Sequence, residues 1–251
     1  MIRILISDKL SPRASDVFRD RGIGVDVKVG MTPVQLLDCI DKYEGLAVRS
    51  TTNVDPALLS AGHQLRVVGR AGIGIDNIDL AAATERGILV MNTPFGNSIT
   101  TAEHTIALLL SLCRQIPKAD LSVRQRKWEK ASFMGVEVSG KILGLIGCGN
   151  IGSIVADRAQ GLRMKVLVYD PFITNEQCLD LGVEKVGFDD LLARSNFISL
   201  HVPLTETTKG MIDASAMAKM RPGVRIINCA RGGLIVESDL KDAIEAGQVA
   251  G

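Results

Sequence analysis

The stretch Lys141-Ile-Leu-Gly-Leu-Ile-Gly-Cys-Gly-Asn-Ile-Gly152, continuing as Ser153-Ile-Val-Ala-Asp-Arg-Ala-Gln160, decides how the rest of the chain is read. An apolar run of strand length enters Gly147-Cys-Gly149-Asn-Ile-Gly152, and a helical pattern leaves it. The pattern G-x-G-x-x-G is weak alone, because Gly-rich turns are common. Between a strand and a helix it becomes the phosphate turn of a dinucleotide-binding unit. Gly147 permits the tight turn, Gly149 lets the backbone approach a pyrophosphate, and Gly152 lets helix pack closely on strand. The helix N-terminus then faces the phosphates. Asp170 closes the next predicted strand, where a carboxylate accepts from the adenine-ribose hydroxyls and repels a 2′-phosphate. NAD is therefore expected in preference to NADP.

Outward from that unit, the chain alternates short Ile/Val/Leu runs with helical patterns. Strands are predicted over 2–6, 25–29, 45–48, 65–68 and 88–91, and again over 142–146, 165–169, 196–202 and 224–229. Helices fall between them, near 150–161, 174–181, 188–194, 213–220 and 238–246 in the second series. Ser11-Pro12, Thr32-Pro33 and Asp55-Pro56 read as helix starts, a capping side chain followed by a Pro whose missing N–H would be unpaired there anyway. Such alternation means βαβ units with parallel strands. The fold class is α/β, with two Rossmann-like or flavodoxin-like domains. Domain boundaries are expected at 1–96 and 97–251, hinged at one long helix from Ser98 to about Ile116, before Pro117. Gly247 reads as a helix terminator and Gln248-Val-Ala-Gly251 as the approach to a further strand, so the second sheet is expected to be incomplete.

Composition narrows the function. Of 251 residues, 46% are hydrophobic and 23% charged, ordinary globular usage. Lys plus Arg is 29 against 28 Asp plus Glu, which lacks the basic excess of a nucleic-acid binder. The longest apolar stretch, Thr105–Cys113, is far short of a membrane span. Met1–Ser7 has no signal-peptide pattern. The five cysteines, at 39, 113, 148, 178 and 229, are scattered without a C-x-x-C, so neither a disulfide framework nor a metal site is expected. A reducing, cytoplasmic setting follows.

Four further segments carry a resemblance. Val48-Arg-Ser-Thr-Thr-Asn53, Gly69-Arg-Ala-Gly-Ile-Gly-Ile-Asp-Asn77, Gly96-Asn-Ser98 with Ala102-Glu103, and Asn228-Cys-Ala-Arg-Gly-Gly233 resemble the D-2-hydroxyacid dehydrogenase family, and their spacing does so over essentially the whole chain. Trp128-Glu-Lys-Ala-Ser-Phe-Met-Gly135 narrows the resemblance to members that oxidise D-3-phosphoglycerate to 3-phosphohydroxypyruvate, the first committed step of L-serine synthesis. Two alternatives stand beside it. One is a reductase of glyoxylate, hydroxypyruvate or lactate, and the other a non-catalytic NAD-sensing module of the corepressor type.

The resemblance implies a small 2-hydroxy or 2-oxo acid substrate bound between domains, and a homo-oligomer built through the NAD-binding domain. It makes Arg231 the invariant Arg that orients carboxylate and carbonyl, which suits a planar, two-pronged guanidinium. The Gly72-Ile73-Gly74 loop is implied to hold the carboxylate through main-chain N–H groups, as two glycines flanking one residue allow. Arg49, Ser50, Arg70, Asn97 and Lys130 are candidates for the remaining substrate contacts, Lys130 reaching from a partner subunit. For the cofactor, Gly147, Gly149, Asn150, Ile151 and Gly152 are expected at the phosphates and Asp170 at the ribose. His201, Val202, Pro203 and Thr208 line the adenosine or pyrophosphate side, and Cys229, Ala230 and Arg231 approach the nicotinamide ribose. None of His63, His104 and His201 follows the family's Pro-His pattern for the acid/base. That His and its Glu partner are expected beyond residue 251, leaving this stretch inactive alone.

Overall fold

Ten strands form two parallel five-stranded sheets in a computed structural model that describes residues 2–251. The first sheet contains β1 (Arg3–Ile6), β2 (Gly24–Val27), β3 (Gly45–Val48), β4 (Val67–Arg70) and β5 (Leu89–Asn92), in the order β2-β1-β3-β4-β5. The second contains β6 (Ile142–Ile146), β7 (Lys165–Tyr169), β8 (Glu184–Lys185), β9 (Phe197–Leu200) and β10 (Arg225–Asn228), in the order β10-β9-β6-β7-β8. The first is a flavodoxin-type order and the second a Rossmann-type order. Each reverses direction at one place, β1/β3 and β6/β9, and ligands of such sheets bind outside the carboxyl ends there.

Helices α1 (Pro12–Arg19), α2 (Pro33–Ile40), α3 (Pro56–Ala61) and α4 (Leu80–Glu85) connect the first sheet. Helices α5 (Ser98–Arg114), α6 (Ile116–Arg124), α7 (Gly152–Gly161), α8 (Asn175–Leu181), α9 (Phe188–Arg194), α10 (Ala214–Ala218) and α11 (Glu237–Glu245) belong to the second series. Contacts divide the chain into one compact unit ending at Asn97 and another over Ser98–Gly251. Each has its own aliphatic core: Leu5, Ile40, Leu46, Leu59 and Val68 in the first, Leu143, Leu145, Val155, Val168 and Phe197 in the second. The central strands β1, β3, β6, β7 and β9 are largely buried on both faces, which is why they read as continuous apolar runs rather than alternating ones.

Two expectations need correction. The helix from Ser98 does not run to Ile116. It ends at Arg114, Gln115 turns left-handed at φ 52°, and α6 starts at Ile116 with Pro117 in its first turn. Pro117 has no N–H for the Cys113 carbonyl, which instead accepts from Val136 at 2.9 Å, while the Gln115 side chain holds the Met134 carbonyl. Ser11 precedes α1 but its hydroxyl makes no cap, whereas Thr32 and Asp55 accept from the N–H groups of Gln35 and Leu58 as expected. Near the last residues, Val249 bridges in parallel to Val224 and the Gly251 carbonyl accepts from Ile226, extending the pairing beside β10.

Candidate functional site

In the second unit, the carboxyl ends of β6 and β9 meet at Gly147. Its φ of +92° is strained for any L side chain, and an added Cβ would lie 2.7 Å from the His201 carbonyl oxygen. At Gly152 the Cβ would lie 2.3 Å from the Gly147 carbonyl oxygen, so α7 sits directly on the turn. Gly149 differs, since nothing stands within 4 Å of its Cβ position. The space that a pyrophosphate needs is therefore open at one glycine and closed at the other two. Asp170 accepts from the Cys148 N–H and from the Phe172 N–H, each at 2.8 Å. Those bonds aim the carboxylate into a cleft of about 470 Å³, lined also by Gly149, Asn150, Ser153, Ile173 and Gln177. Open backbone, helix N-terminus and oriented carboxylate fit the pyrophosphate and adenine ribose of NAD. Burial pushes the Cys148 thiol up to about 11, so the turn carries no thiolate against the phosphates.

The segment after β9 is more self-contained than its assignment to the cofactor implies. His201 Nε2 lies 2.9 Å from the buried Ser199 hydroxyl, and burial lowers its pKa to about 4, so the ring is neutral. Thr208 donates to the Pro203 carbonyl and accepts from the Thr205 N–H, which closes the loop on itself. Val202 packs against Gly147 instead.

A second cleft, of about 600 Å³, opens at the end of β10. Asn228, Cys229, Ala230, Arg231 and Gly232 line one side, and Thr100, Thr101, His104 and Leu108 of α5 the other. The Asn228 side chain shapes this turn, donating to the Arg231 carbonyl and accepting from the Ala230 N–H. His104 went unassigned in the sequence. The signal was there in its face of α5, which it shares with Thr100, Thr101 and Leu108 at helical spacing.

The first unit has a cleft of about 490 Å³ where Arg49, Gly72 and Asn97 meet Lys9, Ser11, Ala71 and Thr93. Ser50 is exposed outside it, and Lys130 is exposed on a short 3-10 turn, Lys130–Phe133, of the second unit. Arg70 lies behind Gly72, its Nε 3.6 Å from the Gly72 Cβ position, with Nη1 3.6 Å from Asp76. Neither Gly72 nor Gly74 has a positive φ, and the Gly72 N–H donates to the Arg70 carbonyl. The carboxylate cradle expected from paired glycines is thus not a left-handed nest; the Ile73 carbonyl is tied to Asn92. Among the described residues no His, Cys, Asp and Glu cluster could hold a metal, and no helix is long and apolar enough to cross a membrane.

Comparison with known proteins assigns this architecture to a class. Residues 106–251 match the family described as "D-isomer specific 2-hydroxyacid dehydrogenase, NAD binding domain", and the chain belongs to that family. Its cofactor is NAD. Within the family, it is 48% identical over 249 residues to the D-3-phosphoglycerate dehydrogenase of Archaeoglobus fulgidus, covering 99% of this chain and 47% of that protein. It is 44% identical to the Sus scrofa protein of the same name, again covering 47% of it. The chain therefore spans about half the length of the curated relatives it matches. Among solved structures, a glyoxylate reductase from Paecilomyes thermophila superposes with TM-score 0.92 at 31% identity, covering 99% of this chain and 79% of that one. The Aquifex aeolicus D-lactate dehydrogenase complexed with NAD and lactic acid gives 0.89 at 28% identity, covering 99% and 75%.

Proposed function

We propose that the protein oxidises D-3-phosphoglycerate to 3-phosphohydroxypyruvate with NAD, in the cytosol, as the committing step toward L-serine. The observation that carries this reading is Arg231 at the end of β10, lining an open cleft at the sheet edge where such folds bind ligands. When bound, NAD would accept the hydride leaving C2, and the hydroxyl proton would pass to the acid/base His expected beyond residue 251. Arg231 grips the carboxylate through two hydrogen bonds and polarises the C2–oxygen bond, as a planar guanidinium does and an ammonium cannot. The phosphate preference is supported by the names of the relatives and by the cations Lys9 and Arg49 sharing a cleft with Asn97 and Gly72. Arg70 behind that loop and Lys130 supply further positive charge. The N–H groups of Ile73 and Gly74 are proposed for the substrate carboxylate. Domains 1–96 and 97–251 divide the work between substrate and cofactor.

The test is turnover by a protein that carries the segment after residue 251, where the acid/base His is expected, following NADH absorbance with D-3-phosphoglycerate, D-lactate and glyoxylate in parallel. D-3-phosphoglycerate should give the largest kcat/KM. Arg231→Lys should lower that value by about a hundredfold or more while NADH affinity stays within about twofold. Preference for glyoxylate would reassign the protein to a reductase, and NADH binding without any turnover would favour the NAD-sensing module.

A second copy of the chain is the proposed partner, through the NAD-binding unit. Its α6 and following segment expose Leu121, Val123, Trp128 and Met134, with Trp128 83% and Met134 82% exposed. Apolar surface of that kind on a soluble chain marks an interface. Leu121→Glu should convert a dimer in sedimentation equilibrium to monomer.

A further inference from the structure

The first unit spends a buried carboxyl group on something neither the cofactor nor the core requires. Asp8 is 3% exposed, and among the described residues no cation pairs with it. Its oxygens accept from the Arg49 N–H at 2.6 Å, the Thr52 N–H at 3.1 Å and the Thr52 hydroxyl at 2.9 Å. Ser7 adds a hydroxyl 2.8 Å from that of Thr52. Asn77 Nδ2 donates to the carbonyls of the same two residues, Arg49 and Thr52. Asn77 Oδ1 is left buried without a hydrogen-bond partner, so the side chain is oriented for this one purpose. Both peptide ends of the 49–52 loop are thus held, N–H groups by a residue after β1 and carbonyls by a residue after β4. The loop itself follows β3. Those three strands are neighbours, and the chain reverses between β1 and β3, where ligands of this architecture bind.

Three hydrogen bonds offset the cost of burying Asp8, and all of them go to one loop rather than to the core. We propose that Asp8 and Asn77 are positioning residues that hold the Arg49–Thr52 backbone in register, so that Arg49 meets a small oxyanion in the cleft it shares with Lys9, Gly72 and Asn97. With the loop fixed before binding, only the Arg49 side chain loses freedom when the anion arrives. The inference rests on the reading of that cleft as the substrate's anion site, but not on which substrate it is.

Asp8→Asn is the variant of choice. It keeps the shape and leaves one acceptor and an NH2 donor facing groups that themselves donate. Amide exchange at Arg49 and Thr52 should accelerate at least tenfold, and affinity for 3-phosphoglycerate or inorganic phosphate should fall about tenfold, with NADH affinity unchanged. A role confined to stability would add to any loss at Arg49. A positioning role would not, so Asp8→Asn in an Arg49→Gln background should weaken the anion no further. Asn77→Ala carries the same expectations and stands in should Asp8→Asn fail to fold. Unchanged exchange at both amides, or fully additive losses in the cycle, would overturn the inference. A wild-type chain that binds oxalate or D-lactate but neither phosphate nor 3-phosphoglycerate would overturn the phosphate reading instead. The cycle is then run on oxalate, with the same expected non-additivity.

Discussion

Asp170 keeps two backbone N–H groups on its carboxylate, one from the phosphate turn and one from the loop after β7. The same group therefore shapes the turn and is the one proposed for the ribose. Asp170→Ala should weaken NADH by about tenfold, since hydrogen bonds to a charged acceptor are worth roughly 1.5–3 kcal/mol. NADPH should lose less, because repulsion of its 2′-phosphate goes too. Dissociation constants for both nucleotides in both proteins check this; equal values in the wild type would remove Asp170 from the site. His201 makes a different demand. Its folded pKa of about 4 lies below the unfolded value, so the unfolded chain takes up a proton that the folded chain refuses. Stability is unaffected above the unfolded pKa of about 6.5 and falls as pH drops from there toward 4. Between pH 7.5 and 5 the loss from this group is about 2 kcal/mol. Urea denaturation at the two pH values should show it, and His201→Gln should flatten the difference. The position of His201 was legible from the sequence. Its inward turn was not, because the Ser199 hydroxyl it meets lies two residues away on a strand whose exposed and buried faces cannot be told apart when both are apolar.

Short helices depend on their first turn, and the three Ser/Thr/Asp-Pro starts separate cleanly. Thr32 and Gln35 form a reciprocal capping box and Asp55 caps Leu58, whereas the Ser11 hydroxyl caps nothing. Thr32→Ala and Asp55→Ala should each cost about 1 kcal/mol in chemical denaturation, and Ser11→Ala should change stability by only a few tenths. Equal losses at all three would mean that the Pro, not the side chain, sets these starts. The helix break at Gln115 was hidden for a related reason. Pro117 reads equally well as the end of one helix or the first turn of the next, and no Gly marks the left-handed residue. What decides is the Val136 N–H replacing the missing donor, a contact across intervening chain that no local pattern announces. β8, two residues long, carries too little pattern to be seen at all. The central strands were legible to within a few residues, because runs such as Ile142–Ile146 and Lys165–Tyr169 are mostly Ile, Val and Leu and largely buried.

Two units with separate cores imply two responses to one ligand. NADH contacts are proposed only in the unit over Ser98–Gly251, so binding should protect that unit and leave the other as it was. At a hundredfold excess over Kd the expected gain is about 2.7 kcal/mol. Hydrogen exchange should slow along β6, β7, β9 and α7 and stay unchanged along β1–β5. Slowing in both units alike would show that they unfold together. The sequence places a boundary at 96/97, where the βαβ rhythm changes, and the compact units divide after Asn97. The content of the first cleft was not legible, since Asp8 and Asn77 act on a loop more than twenty residues away from either, and only the folded sheet brings them to it.

Gly149 is the one fingerprint glycine with free space where a side chain would begin. Ala there should leave the fold native and put a methyl group where the pyrophosphate must lie. If the protein acts as the proposed dimer, such a chain would still pair with wild-type copies while being unable to load cofactor. In genetic terms it would be a silent partner made by a single methyl group, each mixed dimer keeping one loaded subunit. Gly147→Ala and Gly152→Ala, which collide with backbone oxygens, should give simple recessive loss instead.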